Sequence, residues 1–164
     1  MSRRQRGWEY IVLAPVALLM LSLAMVLVPA SYFVYVCQSA ILRLRLRYAW
    51  PAQTWILLSY TQSTVWAPTL ESEIIPRLGG ACITVDRSSP DWKRRRPAEA
   101  RAIEHWGGYY EHNPLVILFP RWRPARTVRL YKPFKDKKRG KPKTLDAELA
   151  RLFALVDAYT PKSR

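Results

Sequence analysis

Both histidines of the chain lie in one short stretch, residues 104–112, where their spacing permits acid–base or metal chemistry. Two Glu-His pairs, 104–105 and 111–112, flank a double glycine. A histidine can act as a general base, and two histidines with carboxylates can form a zinc site. The stretch contains no strong ligand motif, and a polar loop whose histidines bond to backbone or water has the same composition. We therefore predict neither a metal nor another cofactor.

The two cysteines exclude several kinds of chemistry. Cys37 lies in an apolar segment, and Cys82 is alone in the chain that follows, so no disulfide can form within that part. A lone cysteine of this kind favours a reducing compartment. Cys82 and Arg87 have no glycine between them, and the sequence lacks both a Gly-x-Gly-x-x-Gly motif and a P-loop lysine motif. No phosphate-binding loop is therefore predicted.

The firmest feature of the downstream chain is its basic charge, within a formal net charge of +15. A solvated arginine-rich surface, an anionic lipid surface and nucleic acid are the three interpretations. Each basic residue near an anionic leaflet contributes about 1 kcal/mol. Aromatic residues between the charges suit nucleic acid, but no nucleic-acid-binding motif accompanies them, so we predict the membrane as partner. The predicted anionic-binding residues are Arg43, Arg45, Arg47, Lys93, Arg94, Arg95, Arg96, Arg121, Arg123, Lys135, Lys137, Lys138 and Arg139.

An uncharged segment near the start of the chain predicts a membrane anchor. No Asp, Glu, Lys or Arg occurs from Tyr10 to Leu42. A helix of about 26 residues is roughly 39 Å long, and the hydrocarbon core of a bilayer is about 30 Å thick. A cleaved signal is the alternative, but its apolar region has only about 7–15 residues. We predict a basic tail at 1–9, a single transmembrane helix at 10–36 and a basic juxtamembrane linker at 37–52.

The orientation of this anchor is nearly balanced by charge, since three arginines precede it and three follow it. The lone Cys82 tips the prediction towards a cytoplasmic domain on a cell membrane. The alternation of Leu and Arg at 42–47 has the period of a strand, or it is the end of the membrane helix with arginines reaching the headgroups. The domain is predicted at 53–160, with a short tail at 161–164.

The downstream pattern predicts an α/β domain with the order β-α-β-α-β-β-α. Helices link the first three strands, which implies parallel crossovers, and residues 120–126 suit an antiparallel hairpin between the last two. Residues 132–143 form a basic, turn-rich connection. The predicted strands are Thr54–Tyr60, Ala81–Val85, Leu115–Phe119 and Thr127–Tyr131, and the predicted helices are Val65–Leu78, Ala98–Trp106 and Leu145–Tyr159.

This element order, with two local features, resembles the thioredoxin fold over residues 53–159. Pro114 stands directly before the third strand, where that family has a cis proline, and Ala67-Pro68-Thr69-Leu70 is similar to the family's Ala-Pro-x-Leu segment. The resemblance implies a cis Asn113–Pro114 bond close to the turn at 61–64. It also places Tyr60 and Ser63 where the redox cysteines would stand. Thiol–disulfide exchange needs a thiolate, so we predict no oxidoreductase activity.

The same resemblance suggests two functions. In that family the loop before the proline faces the active-site turn, which would bring His112 near Ser63 or Thr61, with Asp86 to orient the base. A base beside a hydroxyl is the minimal arrangement for a nucleophile, and a membrane-bound hydrolase or transferase is one hypothesis.

The preferred hypothesis is a non-catalytic, membrane-anchored adaptor or assembly protein. A groove beside the proline would bind an extended segment of a partner protein, with aromatic side chains as anchors. The predicted binding residues are Tyr60, Thr61, Ser63, Trp66, Trp106, Tyr109 and Pro114.

Overall fold

A single apolar helix, α1, forms the first part of the chain. The computed structural model describes the backbone of residues 3–108, 113–121 and 123–160, and the side chains of those residues from Pro15 onwards. Helix α1 runs from Arg3 to Ala49, 47 residues, and is therefore about 70 Å long. Every side chain from residue 15 to residue 36 is exposed. The helix is long and apolar enough to cross a membrane.

The chain divides into two compact units, Met1–Ile41 and Leu42–Arg164. The second unit contains a four-stranded sheet with helices on both faces. Its strands are β1 (Ile56–Tyr60), β2 (Cys82–Asp86), β3 (Leu115–Leu118) and β4 (Arg126–Arg129). The mixed α/β class predicted from the sequence is confirmed.

A chain of short helical pieces follows β1, and the remaining helices cover the two faces of the sheet. A π-helical turn, Leu70–Ile74, joins α2 to α3, and Pro76 in α3 lacks the N–H that an α-helical turn would bond at this point. The helices are α2 (Ala67–Thr69), α3 (Ile75–Leu78), α4 (Trp92–Arg95), α5 (Pro97–Gly107), α6 (Tyr131–Lys138) and α7 (Lys143–Tyr159).

Helix α6 occupies most of the segment that the sequence predicted as a turn-rich connection, and that prediction is wrong. Pro133 lies in the first turn of α6, where a missing N–H costs nothing. Phe134 is buried beneath the helix and supplies the packing that an otherwise basic segment lacks.

The strand order in the sheet is β2-β1-β3-β4. Strands β1 and β2 are parallel, whereas β3 is antiparallel to β1 and to β4. The prediction of three parallel strands is therefore wrong for β3, while the predicted hairpin between β3 and β4 is confirmed. The cause lies in α5: its last residue, Gly107, approaches the side chain of Leu115, so the helix delivers the chain to the end of the sheet where β2 finished. The Asn113–Pro114 bond is cis, as predicted.

The sheet separates two apolar cores. Side chains of β1 at 56, 58 and 60 face α3, α6 and α7, and the other side of the sheet packs against α5 and the last turns of α1. Leu42, Leu46 and Trp50 of this second core recur every four residues, which places them on one face of the chain as it leaves the helix. The α/β unit therefore begins at Leu42, before the predicted start at residue 53.

A buried hydrogen bond fastens this end of α1 to α5. Trp50 Nε1 donates to Glu99 Oε1 over 3.0 Å, and Glu99 is only 6% exposed. Glu99 also forms an ion pair with Arg96, whose Nη1 lies 3.6 Å from the same carboxylate oxygen.

We expect Glu99→Ala to lower the free energy of unfolding by about 1–3 kcal/mol, because it leaves a buried indole N–H without an acceptor. Glu99→Gln keeps a side-chain oxygen and should lose less. Thermal unfolding of the two variants in detergent, followed by near-UV circular dichroism, checks this order. Equal losses would show that the charge of Glu99, and not its hydrogen bond, is what stabilises the unit.

Candidate functional site

The candidate site lies at one end of the sheet, where β1 and β2 finish and β3 begins. Tyr60 is paired with Asp86 across the two parallel strands, and Ser59 is paired with Leu115 at the start of β3. The carboxyl ends of parallel strands are a common place for ligand sites in α/β folds. The residues that the sequence singled out at 60–66 thus occupy this end.

The turn after β1 is held by hydrogen bonds from its own backbone and from Trp66. Trp66 Nε1 donates to the Thr61 carbonyl oxygen over 2.9 Å. The Ser63 hydroxyl accepts from the Val65 N–H over 3.3 Å, and the Ser63 carbonyl accepts from the Trp66 and Ala67 N–H groups. Ser63 therefore stabilises the start of α2 with both its hydroxyl and its carbonyl.

A polar network joins two carboxylates beside this turn. Gln62 Nε2 donates over 3.3 Å both to Glu71 Oε1 and to Asp86 Oδ2. The Tyr60 hydroxyl also donates to Glu71 Oε1, over 3.3 Å. Ser88 completes the network: its N–H donates to Asp86 Oδ1, and its hydroxyl accepts from the Gln62 N–H.

The network shifts the pKa values of its members in opposite directions. Burial, followed by the nearby charge of Glu71 and the hydrogen bond to it, raises the pKa of Tyr60, so its hydroxyl stays protonated. Burial acts to raise the pKa of Asp86, but hydrogen bonds from Ser88 and Gln62 outweigh it and the pKa lies below its usual value. The contribution of the ionised Asp86 to the free energy of unfolding is therefore fully present above the pKa of aspartate in the unfolded chain. It is lost as the pH falls through the lower pKa of Asp86 in the folded protein.

A second group of polar contacts ties the start of β3 to β1 and β2. Asn113 Oδ1 accepts from the buried Ser59 hydroxyl over 3.3 Å and from Arg87 Nη1 over 3.2 Å. The Arg87 guanidinium also stacks over the ring of Trp92, 4.8 Å from its centroid. These residues, like Gln62 and Glu71, were not predicted as site residues. The single polar residue in the apolar run of β1 is the one sequence signal that could have indicated them.

The predicted site residues are only partly brought together. Tyr60, Thr61, Ser63 and Trp66 lie at this end of the sheet, and Trp66 makes an edge contact with Tyr131. Trp106 instead packs on the other face of the sheet, with its ring centroid 4.9 Å from that of Phe119. His112 and Tyr109 lie outside the described residues. Pro114 is buried at the start of β3, and no hydrogen bond joins Ser63 to Asp86 among the described residues.

Cys82, the only cysteine of the α/β unit, is not poised to react. It is half-buried at the start of β2, and burial raises the pKa of its thiol to about 12. Because the thiolate is the reactive form, this cysteine is protonated at neutral pH.

We expect iodoacetamide at pH 8 to modify Cys82 about a thousandfold more slowly in the folded protein than in guanidinium, because the thiolate fraction falls by that order from a free cysteine of pKa about 8.5. The measurement uses the Cys37→Ser chain, so that one thiol is followed by mass spectrometry. Equal rates in both states would contradict the buried, protonated thiol.

The predicted anionic-binding residues differ in their surroundings. Lys93 pairs with Glu104 over 2.8 Å, Arg94 with Asp91 over 3.2 Å, and Arg96 with Glu99. The basic side chains of α6 are exposed, as are Arg45, Arg47, Arg121 and Arg123. Arg43 is half-buried, and its Nη2 donates to backbone carbonyl oxygens of Pro120 and Arg123. Arg43 is thus a structural residue of the α/β unit.

A separate groove of about 550 Å³ lies between the helices after β1 and helix α7. Its floor is apolar, and the Arg77 guanidinium covers the Phe153 ring there at 3.7 Å from the centroid. Three carboxylates, those of Glu73, Asp146 and Asp157, line the groove. None of the predicted site residues contributes to it.

Comparison with protein-family models, with curated proteins and with solved structures finds no match to this chain. What the site does must therefore be inferred from its own residues and geometry.

Proposed function

We propose that this protein is a single-pass, membrane-anchored adaptor or assembly protein that is not an enzyme. Its thioredoxin-like domain lies on the cytoplasmic side of a cell membrane and binds an extended segment of a partner protein at the end of the sheet that contains Tyr60. One observation carries the proposal. The helix that is long enough to cross a membrane finishes within the core of the α/β unit, at Leu42 and Leu46.

The chemistry of α1 supports an anchor. Its side chains between residues 15 and 36 are apolar and exposed, which water disfavours and lipid accepts. The hydroxyls of Ser22 and Ser31 each donate to a carbonyl three residues earlier, over 2.8 Å, so these polar groups are satisfied within the helix as a bilayer requires. A cleaved signal would have a much shorter apolar region.

The shape of the sheet supports peptide binding. Strand β2 is an edge strand of the described sheet, and from Cys82 to Val85 it has neither charge nor proline, the usual protection of an exposed edge. An extended segment can pair with such an edge. Next to it stand the polar network and the side chains of Tyr60 and Trp66, which would supply specificity.

The contacts of the Ser63 hydroxyl and the Asp86 carboxylate favour a binding role over catalysis. The Ser63 hydroxyl accepts from a backbone N–H in the helix-starting turn, and the Asp86 carboxylate accepts from Ser88 and Gln62. The base that the sequence predicts for Ser63 is His112, so that residue is included in the test.

The test uses the full-length protein in its own cells. A photo-crosslinking residue replaces Thr64, which is exposed beside the site, and in a matched control it replaces Arg101, which is exposed on α5. We expect one protein to be captured from position 64 and not from position 101. A chain with Ser63→Ala and His112→Ala should keep both the crosslink and the ability to restore a deletion strain.

Two outcomes would overturn the proposal. If the double variant fails to restore the strain although it is folded and still crosslinks, the protein is an enzyme. If position 64 captures nothing that position 101 does not, the end of the sheet with Tyr60 is not a partner-binding site.

A further inference from the structure

The contacts of Arg43 fix the depth of the loop between β3 and β4. Arg43 Nη2 donates to the Pro120 carbonyl oxygen over 2.9 Å and also to that of Arg123. The loop starts at the end of the sheet where β1 begins. There the Phe119 N–H donates to the carbonyl oxygen of Trp55, the residue directly before β1. Arg43 therefore holds both sides of the loop tip against the last turns of α1.

Arg43 is also the first charged residue after the uncharged run that ends at Leu42. Arginines that follow a membrane-spanning helix are attracted to the lipid headgroups. The loop that Arg43 binds therefore lies beside the residues that follow the membrane segment. This step rests on the membrane anchoring proposed above.

The two stretches of chain that contain the end of α1 and the β3–β4 loop carry positive charge only. No Asp or Glu occurs between Glu9 and Glu71, or between Glu111 and Asp136. The end of α1 has exposed guanidinium groups at Arg45 and Arg47. The β3–β4 loop and the start of β4 have them at Arg121, Arg123 and Arg126.

We propose that one surface, made of Arg45, Arg47, Arg121, Arg123 and Arg126, binds the headgroups of anionic phospholipids. Bound there, the β3–β4 loop is a second attachment of the protein to the membrane besides its helix. The Tyr60 end is the opposite end of the sheet from this loop. Strand β1 separates the two ends by about 13 Å, four steps of roughly 3.3 Å, and Arg126 and Tyr60 mark them.

The experiment locates the loop in the full-length protein reconstituted in nanodiscs. A chain with Cys37→Ser and Cys82→Ala receives a single fluorescent label at Pro124→Cys in the loop, or at Thr64→Cys at the other end of the sheet. Both positions are exposed. Quenchers attached to lipid headgroups should lower the emission at 124 and leave it unchanged at 64. Lack of quenching at 124, or equal quenching at both, would overturn the proposal.

A second arm tests the charges. In nanodiscs of phosphatidylcholine with a minority of phosphatidylglycerol, the ratio of headgroup-bound to free loop should fall about fivefold for each arginine removed. The variants are Arg121→Gln with Arg123→Gln, and separately Arg45→Gln with Arg47→Gln, which leaves the loop intact. Lys93→Gln with Arg94→Gln removes the same charge elsewhere and should change nothing. An equal fall in this control, or no fall in either arginine pair, contradicts the assigned surface.

Extraction of the same membranes with alkaline carbonate separates this proposal from the one it rests on. A protein released by carbonate is not anchored, and both proposals fail. A protein that is retained but unquenched at position 124 keeps its anchor and loses the second attachment.

Discussion

A chain that begins at Gln53 should not fold, whereas a chain that begins at Leu42 should. The difference is the end of α1, which supplies Leu42, Leu46 and Trp50 to the core beside β1 and β3. Each fully buried apolar side chain of this size contributes about 1.5–3 kcal/mol. Together they contribute about 5–9 kcal/mol, a large part of the roughly 5–15 kcal/mol that stabilises a typical domain.

Without those three side chains, one face of the sheet is uncovered. Leu57 and Ile117, both fully buried in the complete unit, would face water. We expect the shorter chain to give poorly dispersed amide signals in NMR spectra and to bind a hydrophobic dye, as partly folded states do. The longer chain should give a dispersed spectrum and a cooperative thermal transition.

The outcome decides how the molecule is organised. If the chain from Gln53 folds as well as the chain from Leu42, then the helix is a separable tether and residues 37–52 form the linker that the sequence predicted. A folded unit only in the longer chain means that the anchor cannot be removed without removing part of the domain.

The sequence predicted elements whose signal is local. The apolar run at 115–118 forms β3 and that at 56–60 forms β1, and every side chain of these two strands is buried. The direction of β3 could not be read in the same way, since an apolar run looks alike in a parallel and in an antiparallel strand. Direction depends on the end of the sheet at which α5 finishes, and its last residue, Gly107, lies against Leu115 at the start of β3.

The segment at 42–47 shows why one pattern admitted two structures. Leucine at every second position is the period of a strand, but in a helix residues 42 and 46 share a face and residue 44 lies opposite. The deciding residue was Trp50, a further four positions on and also buried. Buried residues at every fourth position, continuing past the alternating run to Trp50, distinguish the helix from the strand.

The candidate site was predictable only where the sequence carried a linear signal. Tyr60 and Ser63 were singled out by the family resemblance of the segment that contains Pro68. Glu71, which accepts from the Tyr60 hydroxyl, and Gln62, which donates to Glu71, join the network through hydrogen bonds between elements. Such pairings depend on how the helix after β1 packs against the end of the strand, which no local residue pattern specifies.

The second large effect concerns which side chains at the end of α1 face the core. Leu46→Ala should lower the free energy of unfolding by about 2–5 kcal/mol, the usual loss when a buried leucine is truncated and a cavity remains. Leu46 is 2% exposed and packs in the core beside Leu57. Urea unfolding of the chain that begins at Leu42, followed by tryptophan fluorescence, gives the loss directly.

The matched control lies two residues away in the same helix. Leu44 is 55% exposed, so Leu44→Ala should change the stability by less than about 0.5 kcal/mol, and both variants have the same helix propensity change. A loss at Leu44 that equals the loss at Leu46 would place both leucines in contact with the sheet, as an alternating strand pairing would. A loss confined to Leu46 is expected only if residues 42–49 pack as a helix, and it would show that the end of the membrane helix is part of the folded core.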